Sequence, residues 1–116
     1  MSKEKSEFLE YLLELLEPSG GISSRRMFGG YAIRKNGFPI ALIFDDEAYF
    51  KVDDSNRADY ESMGSKPFTY EKGGKTIIVS NWKLPIDIIE NQEKLLEWAD
   101  KSYQVSLKSK RPNKNK

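Results

Sequence analysis

The chain has 116 residues, of which 38% are hydrophobic and 12% aromatic, so it is long enough for one domain and too apolar to remain unfolded. It contains no cysteine and no histidine, which excludes disulfides, thiol chemistry and the commonest metal ligand and general base. The net charge is +1, but residues 1–107 have 14 basic and 18 acidic side chains, so we do not expect this body to bind nucleic acid.

The first predicted element is an amphipathic helix that ends before Pro18. Apolar residues recur at three- and four-residue spacing from Phe8 to Leu16, with glutamates between them. Pro18 and the glycines at 20 and 21 favour a stop at this point.

A meander of about four strands is predicted next, over roughly 22–28, 30–35, 38–44 and 47–52. Asn36-Gly37 is a strong hairpin signal because a type I′ turn needs positive φ at both central residues. The third run is almost wholly apolar, which predicts a central strand. Its Pro39 must then lie where no hydrogen-bond donor of the ladder is missed.

The second half is predicted to hold a short helix, a hairpin and a long helix. Residues 57–63 follow several N-cap candidates and end at Gly64. Residues 67–71 and 75–81 form a hairpin through Gly73-Gly74, and residues 82–89 are a connection or a turn of helix because Pro85 opposes a strand.

The last helix is predicted from about residue 91, and residues 108–116 are polar, basic and free of apolar side chains. We expect a disordered tail there. The domain organisation is therefore one domain over 1–107 followed by the tail 108–116.

This order predicts an α+β two-layer sandwich of an antiparallel sheet with helices. Every inferred connection between strands is short, which favours antiparallel pairing. The helices occur in separate blocks rather than alternating with strands.

The run Arg25-Arg26-Met27-Phe28-Gly29-Gly30-Tyr31 is the first candidate for a contact surface. Its glycines predict a bend between two strands rather than a phosphate loop, because a strand and not a helix follows them. The arginines could bind a partner or an anion, or could simply discourage pairing at a sheet edge. Trp82, in a predicted loop with Lys83 and Pro85, is a second candidate anchor for a partner. The candidate patch comprises Arg25, Arg26, Phe28, Tyr31 and Trp82, with Gly29 and Gly30 as structural glycines.

No catalytic residues, cofactor or metal are predicted. Without histidine or cysteine, no partner would activate a serine such as Ser23, Ser24 or Ser80. The acidic residues at 45–47 and 53–54 match no EF-hand spacing and are explained as turn and N-cap residues.

A series of motifs over about residues 6–103 resembles the N-terminal domain of the TfoX/Sxy family. The motifs are the run 25–31, Ala41-Leu42-Ile43, Asp45-Asp46, Tyr49-Phe50-Lys51-Val52-Asp53, Asn56-Arg57-Ala58-Asp59-Tyr60, Gly64, Pro67-Phe68-Thr69-Tyr70 and Leu95-Leu96-Glu97-Trp98-Ala99. The resemblance implies a fold like that of secretion chaperones and a role as coactivator beside the cyclic-AMP receptor protein at competence promoters. Full-length regulators also carry a helical C-terminal domain, so we expect a stand-alone N-terminal domain here.

We therefore expect a non-enzymatic protein-interaction module with a role in transcriptional regulation. The alternative is a small-ligand or anion-binding domain, which could be enzymatic. A strand edge would allow a homodimer, and the tail would allow weak contact with nucleic acid. No run approaches the roughly 18 apolar residues of a membrane span, so we expect a cytoplasmic protein without a membrane partner.

Overall fold

The structure, a computed structural model, describes residues 7–27 and 29–109. Its regular elements confirm the predicted α+β class. In chain order they are α1 (Glu7–Leu16), a 3-10 turn (Glu17–Ser19), β1 (Ile22–Met27), β2 (Gly30–Lys35), β3 (Phe38–Phe44), β4 (Glu47–Lys51), α2 (Arg57–Glu61), β5 (Pro67–Lys72), β6 (Lys75–Lys83), α3 (Ile86–Ile89) and α4 (Gln92–Ser109).

The six strands of the described residues form one sheet in the order β1-β2-β3-β4-β6-β5, with antiparallel neighbours throughout. β4 and β6 pair over only three residues each, Tyr49–Lys51 with Asn81–Lys83. Residues 75–78 of β6 pair with β5 alone. The β5–β6 hairpin is therefore a two-stranded ribbon that extends past the end of β4.

Pro39 lies in the central strand β3 without breaking a ladder. The register between β2 and β3 shifts at Ile33/Arg34, directly opposite Pro39, and bulges are among the few sites that accept proline within a sheet. The ladder between β3 and β4 begins only at Ala41. Pro39 therefore lies where no hydrogen-bond donor of the ladder is missed, as the prediction of a central strand requires.

The helices cover one face of the sheet. α4 packs across β3 and β4, and α1 packs beside α4 and against β1. The buried core lies between these two layers and includes Leu9, Leu12 and Leu16 of α1, Ile33, Ala41, Ile43 and Phe50 of the sheet, and Leu95, Trp98 and Ala99 of α4. One buried polar group ties α4 to the sheet: the Ser102 Oγ donates to the Lys51 carbonyl at 2.8 Å.

Two changes in the predicted boundaries affect the candidate patch and the predicted tail. β6 continues to Lys83, so Trp82 lies in a strand rather than a connection, because it pairs with Phe50 on one side and Pro67 on the other. α4 continues to Ser109, so the first two residues of the predicted tail are helical. The Lys108 Nζ lies 3.2 Å from an Asp53 carboxylate oxygen, a contact between distant residues that composition does not reveal. Residues 110–116 lie outside the described residues.

None of the helices in residues 7–27 and 29–109 combines the length and the apolar character needed to cross a membrane.

Truncation of the core between α4 and the sheet should be costly. Leu95 is fully buried, whereas Ile86 of α3 is 61% exposed. We expect Leu95→Ala to lower the free energy of unfolding by about 2–5 kcal/mol and Ile86→Ala to change it by about 0.5 kcal/mol or less. Urea titrations followed by circular dichroism measure both, and equal losses would contradict the assignment of the core.

Candidate functional site

One face of the sheet has no helix over it within residues 7–27 and 29–109. Residues that pair directly across neighbouring strands share a face. Ile33, Ala41 and Phe50 are such a row and lie buried under the helices. The adjacent row of Ala32, Leu42, Tyr49 and Lys83 points to the opposite side by alternation. We call that side the open face.

An apolar groove of about 580 Å³ lies on the open face. Its walls come from β1, β3, β5 and β6 and consist of Met27, Leu42, Phe44, Phe68, Tyr70, Lys72 and Val79. We call it the aromatic groove. Its lining combines strands from both ends of the sheet, so the groove forms because the β5–β6 ribbon curls over the open face.

Ring contacts demonstrate this curl. β3 and β5 are three strand spacings apart, about 14 Å in a flat sheet, yet the rings of Phe44 and Phe68 stack with centroids 5.2 Å apart and planes 8° from parallel. Phe68 also contacts Tyr49 at 4.7 Å and Tyr70 at 6.3 Å. Aromatic pairs of this kind contribute about 0.5–1.5 kcal/mol each beyond the area they bury. Phe68 therefore fixes the ribbon to the sheet.

Gly30 makes room for the ring of Phe44. A Cβ on Gly30 would lie 2.1 Å from the Ile43 carbonyl oxygen and 2.6 Å from the Phe44 ring. Gly29 differs, because its φ is +81° and a Cβ there would meet open space. The two adjacent glycines thus have separate roles: Gly29 turns the chain between β1 and β2, and Gly30 lets β3 and its aromatic side chain approach.

Tyr49, Glu47 and Lys83 form a hydrogen-bonded group beside the groove. The Tyr49 hydroxyl donates to Glu47 Oε1 at 3.0 Å, and the Lys83 Nζ lies 3.2 Å from Glu47 Oε2. The hydrogen bond from Lys83, and to a smaller extent the one from Tyr49, lowers the pKa of the Glu47 carboxyl below its usual value. Burial is the main reason that the pKa of Tyr49 is raised to about 12, and the hydrogen bond to Glu47 is the second.

Charge is segregated between the sheet and the helices. The strands carry eight basic and two acidic side chains, whereas α1 to α4 carry four basic and nine acidic ones. The strand residues are Arg25, Arg26, Arg34, Lys35, Lys51, Lys72, Lys75 and Lys83 against Glu47 and Glu71. Residues 1–107 therefore have a net negative charge although the sheet is basic, because the helical layer is acidic.

The residues of the predicted patch are divided between the two faces. Arg25 pairs with Ala32 and lies exposed on the open face, two residues from Met27 of the groove. Arg26 pairs with the half-buried Tyr31, and both point to the helix-covered side.

Trp82 is also on the helix-covered side. It packs against the core with its ring 6.3 Å from that of Tyr60. Phe28, the remaining member of the predicted patch, lies outside the described residues. The described members therefore do not form one contiguous surface, and Arg25 is the member that borders the aromatic groove.

The acidic residues considered at the turns have local roles. Asp45 and Asp46 adopt φ of 51° and 59° in the connection between β3 and β4, and an Asp53 carboxylate oxygen accepts a hydrogen bond from the Ser55 N–H at 2.8 Å. In the part of the chain that the structure describes, no three acidic side chains are grouped to hold a metal ion.

Sequence reasoning missed most of the groove. A signal was present in β5, where Phe68, Tyr70 and Lys72 alternate with polar Thr69 and Glu71. In β3 the uninterrupted apolar run predicts a central strand, and the same run supplies Leu42 and Phe44 to the uncovered side. Local pattern does not tell which face of a strand the helices leave open.

Comparison with known proteins yields a family and a curated relative. The family model described as the TfoX N-terminal domain matches residues 14–106, a range that holds the six strands of the described residues, the end of α1 and most of α4. The chain is also 25% identical over 97 residues to protein Sxy of Escherichia coli (strain K12), which covers 84% of this chain. That alignment covers 46% of Sxy, so the chain spans about half the length of this relative.

Alanine substitutions should separate the two glycines. We expect Gly30→Ala to destabilise the fold by about 1–3 kcal/mol, because the new methyl group overpacks against backbone and the Phe44 ring. Gly29→Ala should cost about 1 kcal/mol, because only the positive φ opposes it. Urea unfolding measures both, and a Gly30→Ala protein no less stable than Gly29→Ala would contradict the proposed contact.

Acid should remove the contribution of Glu47. Because its pKa is lowered on folding, the ion pair contributes stability above the unfolded value of about 4.5 and loses it as the pH falls through the lowered pKa. We expect Glu47→Gln to be less stable than wild type at about pH 7, with the gap narrowing by about pH 3. Urea midpoints across this range test it; a gap independent of pH would refute it.

Proposed function

This chain belongs to the TfoX N-terminal domain family, and from that membership and its surface we propose that it is a non-enzymatic protein-interaction module. The module would act in the bacterial cytoplasm as a co-regulator of transcription, in the setting of competence. Its contact surface would be the open face of the sheet, centred on the aromatic groove.

The observation that carries this proposal is an apolar, aromatic groove on a face that none of the described helices covers. Large apolar side chains left in water favour association, and exposed apolar patches often mark interaction sites. The groove and its border are rich in aromatic residues, methionine and arginine, the residue types enriched at protein interfaces. Tyr70 in its wall is 44% exposed.

Ionisation in this region favours binding over catalysis. A general acid or base works best with a pKa near the operating pH. The two pKa values beside the groove move away from neutral pH, since that of Glu47 is lowered and that of Tyr49 is raised to about 12. The whole sequence also offers no histidine or cysteine.

A small-ligand site is the second candidate, because the groove volume falls within the range of about 300–1,000 Å³ that is usual for ligand pockets. The anion-binding form of this alternative has less support. Arg25 and Arg26 point to opposite faces, so the pair is not arranged to hold one anion between its guanidinium groups.

The cyclic-AMP receptor protein is the partner to test, as the family resemblance implies. Titration calorimetry of the purified receptor, with cyclic AMP, against this chain gives the affinity. We expect Arg25→Glu on the open face to weaken binding about five- to tenfold and Arg26→Glu, the same charge change on the other face, to alter it less than twofold.

Two results would count against this proposal. Absence of binding by the wild-type chain would remove the receptor as the partner. Equal effects of the two substitutions would remove the open face as the contact surface. Stabilisation by small apolar molecules, about 2.7 kcal/mol at 100 times Kd, would favour the second candidate instead.

A further inference from the structure

We propose that the aromatic groove is the docking site for an amphipathic α-helix whose apolar side enters the groove and whose flanks carry carboxylates. This inference rests on the proposed function and adds the chemistry and secondary structure of the partner segment. Three features carry it: the hydrogen-bonded state of the groove floor, the unpaired cations around it, and the charge of the competing occupants.

The groove floor excludes recognition by strand addition. Leu42 lies in β3, which is paired with β2 through Ala32 and with β4 through Tyr49. The backbone donors and acceptors of the floor are therefore already used within the sheet. An extended peptide lying there would bury its own backbone groups without partners, which is costly. A helix satisfies its backbone internally and can place an apolar side on such a floor.

Apart from Lys83, which pairs with Glu47, three cations of the open face have no acidic partner within the described residues. Arg25 and Lys72 are exposed, and Arg34 lies on the same face, two residues along β2 from Ala32. None of the three takes part in an ion pair with another described residue. The Arg34 Nε is buried without a hydrogen-bond partner there. Such donors match carboxylates on a partner.

Acid is scarce on this face. Of the two acidic strand residues, Glu71 points away from the groove, since it alternates with Tyr70 and Lys72 and accepts a hydrogen bond from Thr76 on the other side of the ribbon. Glu47 is on the open face but is engaged by Tyr49 and Lys83. A partner that supplied carboxylates would therefore meet little repulsion.

The opposite face already shows which kind of element covers a sheet of this composition. α1 buries Leu9, Leu12 and Leu16, and its remaining positions include three glutamates. Its acidic residues surround an apolar stripe. The partner helix that we propose has the same chemistry, placed on the other side of the sheet.

Other occupants fit less well. A second copy of this chain would bring its own basic open face against this one, a like-charge arrangement. Residues 110–116 are basic and contain no apolar side chain, so they complement neither the walls nor the cations. Single-stranded nucleic acid would need free ring faces for its bases, whereas Phe44 and Phe68 stack on each other.

Synthetic peptides provide a direct test with the full chain. The probe is a fluorescent helix-forming peptide of about 18 residues, with leucine and phenylalanine at i, i+3, i+4 and i+7 and glutamate on the flanks. Two matched peptides replace the glutamates by lysine, or the apolar residues by serine. Anisotropy should give binding of the glutamate peptide at least about tenfold tighter than either control, weakening with added salt.

Paired variants locate the site. Tyr70→Ala and Ile78→Ala both truncate exposed side chains of the β5–β6 ribbon, but Tyr70 lines the groove and Ile78, 69% exposed, points to the other side. We expect Tyr70→Ala to weaken peptide binding about tenfold and Ile78→Ala less than twofold. The double change Arg25→Glu/Lys72→Glu should also weaken it about tenfold, whereas Lys94→Glu on α4 should not.

Equal affinity for the glutamate and lysine peptides, or equal effects within the variant pairs, would overturn the proposal. It would also be overturned if an oligo(dT) strand bound more tightly at the same residues. A dimer of the chain that Tyr70→Ala alone disrupts would overturn it as well. If Arg25→Glu weakens receptor binding while the glutamate peptide does not bind, the interaction module stands and the acidic helix fails. If the peptide binds at the groove and the receptor does not, the helix site stands and the receptor is the wrong partner.

Discussion

Coverage of the sheet on a single face is the constraint on which the rest of this structure depends. Strand residues alternate between two sides, so one layer of helices buries one row of each strand and leaves the other in contact with water. Ile33, Ala41 and Phe50 lie in the buried row. The uncovered row holds Leu42 and Tyr49 in the middle strands, and this apolar character makes the open face a surface that favours a partner.

The curled ribbon gives this open face its shape. Because β6 joins β4 over a short stretch, the outer part of the β5–β6 hairpin has no third strand beside it and can bend toward the open face. Phe68 then reaches Phe44 of β3, and Phe44 can occupy that position because Gly30 presents no side chain. The glycine of the Arg25–Tyr31 run is thereby linked to a groove formed by residues far away in sequence.

Charge also differs between the two layers of the fold. The helical layer is acidic and the strands are basic, so the net charge of the chain describes neither surface. A basic, aromatic groove and an acidic outer layer favour a partner that is apolar and negatively charged at the point of contact. Membership of the TfoX N-terminal domain family supplies the setting for the proposed interface, and the residues of the open face supply its proposed chemistry.

The sequence alone determined the elements, their order and the family. Turn residues such as Asn36, with φ of 51°, and the apolar periodicity of α1 and α4 are local properties, so they can be recognised without tertiary contacts. Alternation also separates Arg25 from Arg26, although it does not show which of them the helices leave uncovered. The tertiary structure decided that question. It also placed Trp82 in β6, extended α4 past Lys108, and brought Phe68 against Phe44. These outcomes depend on contacts between segments that are distant in the chain. No local pattern encodes where the β5–β6 hairpin joins the sheet beside β4 or how it curls over the open face.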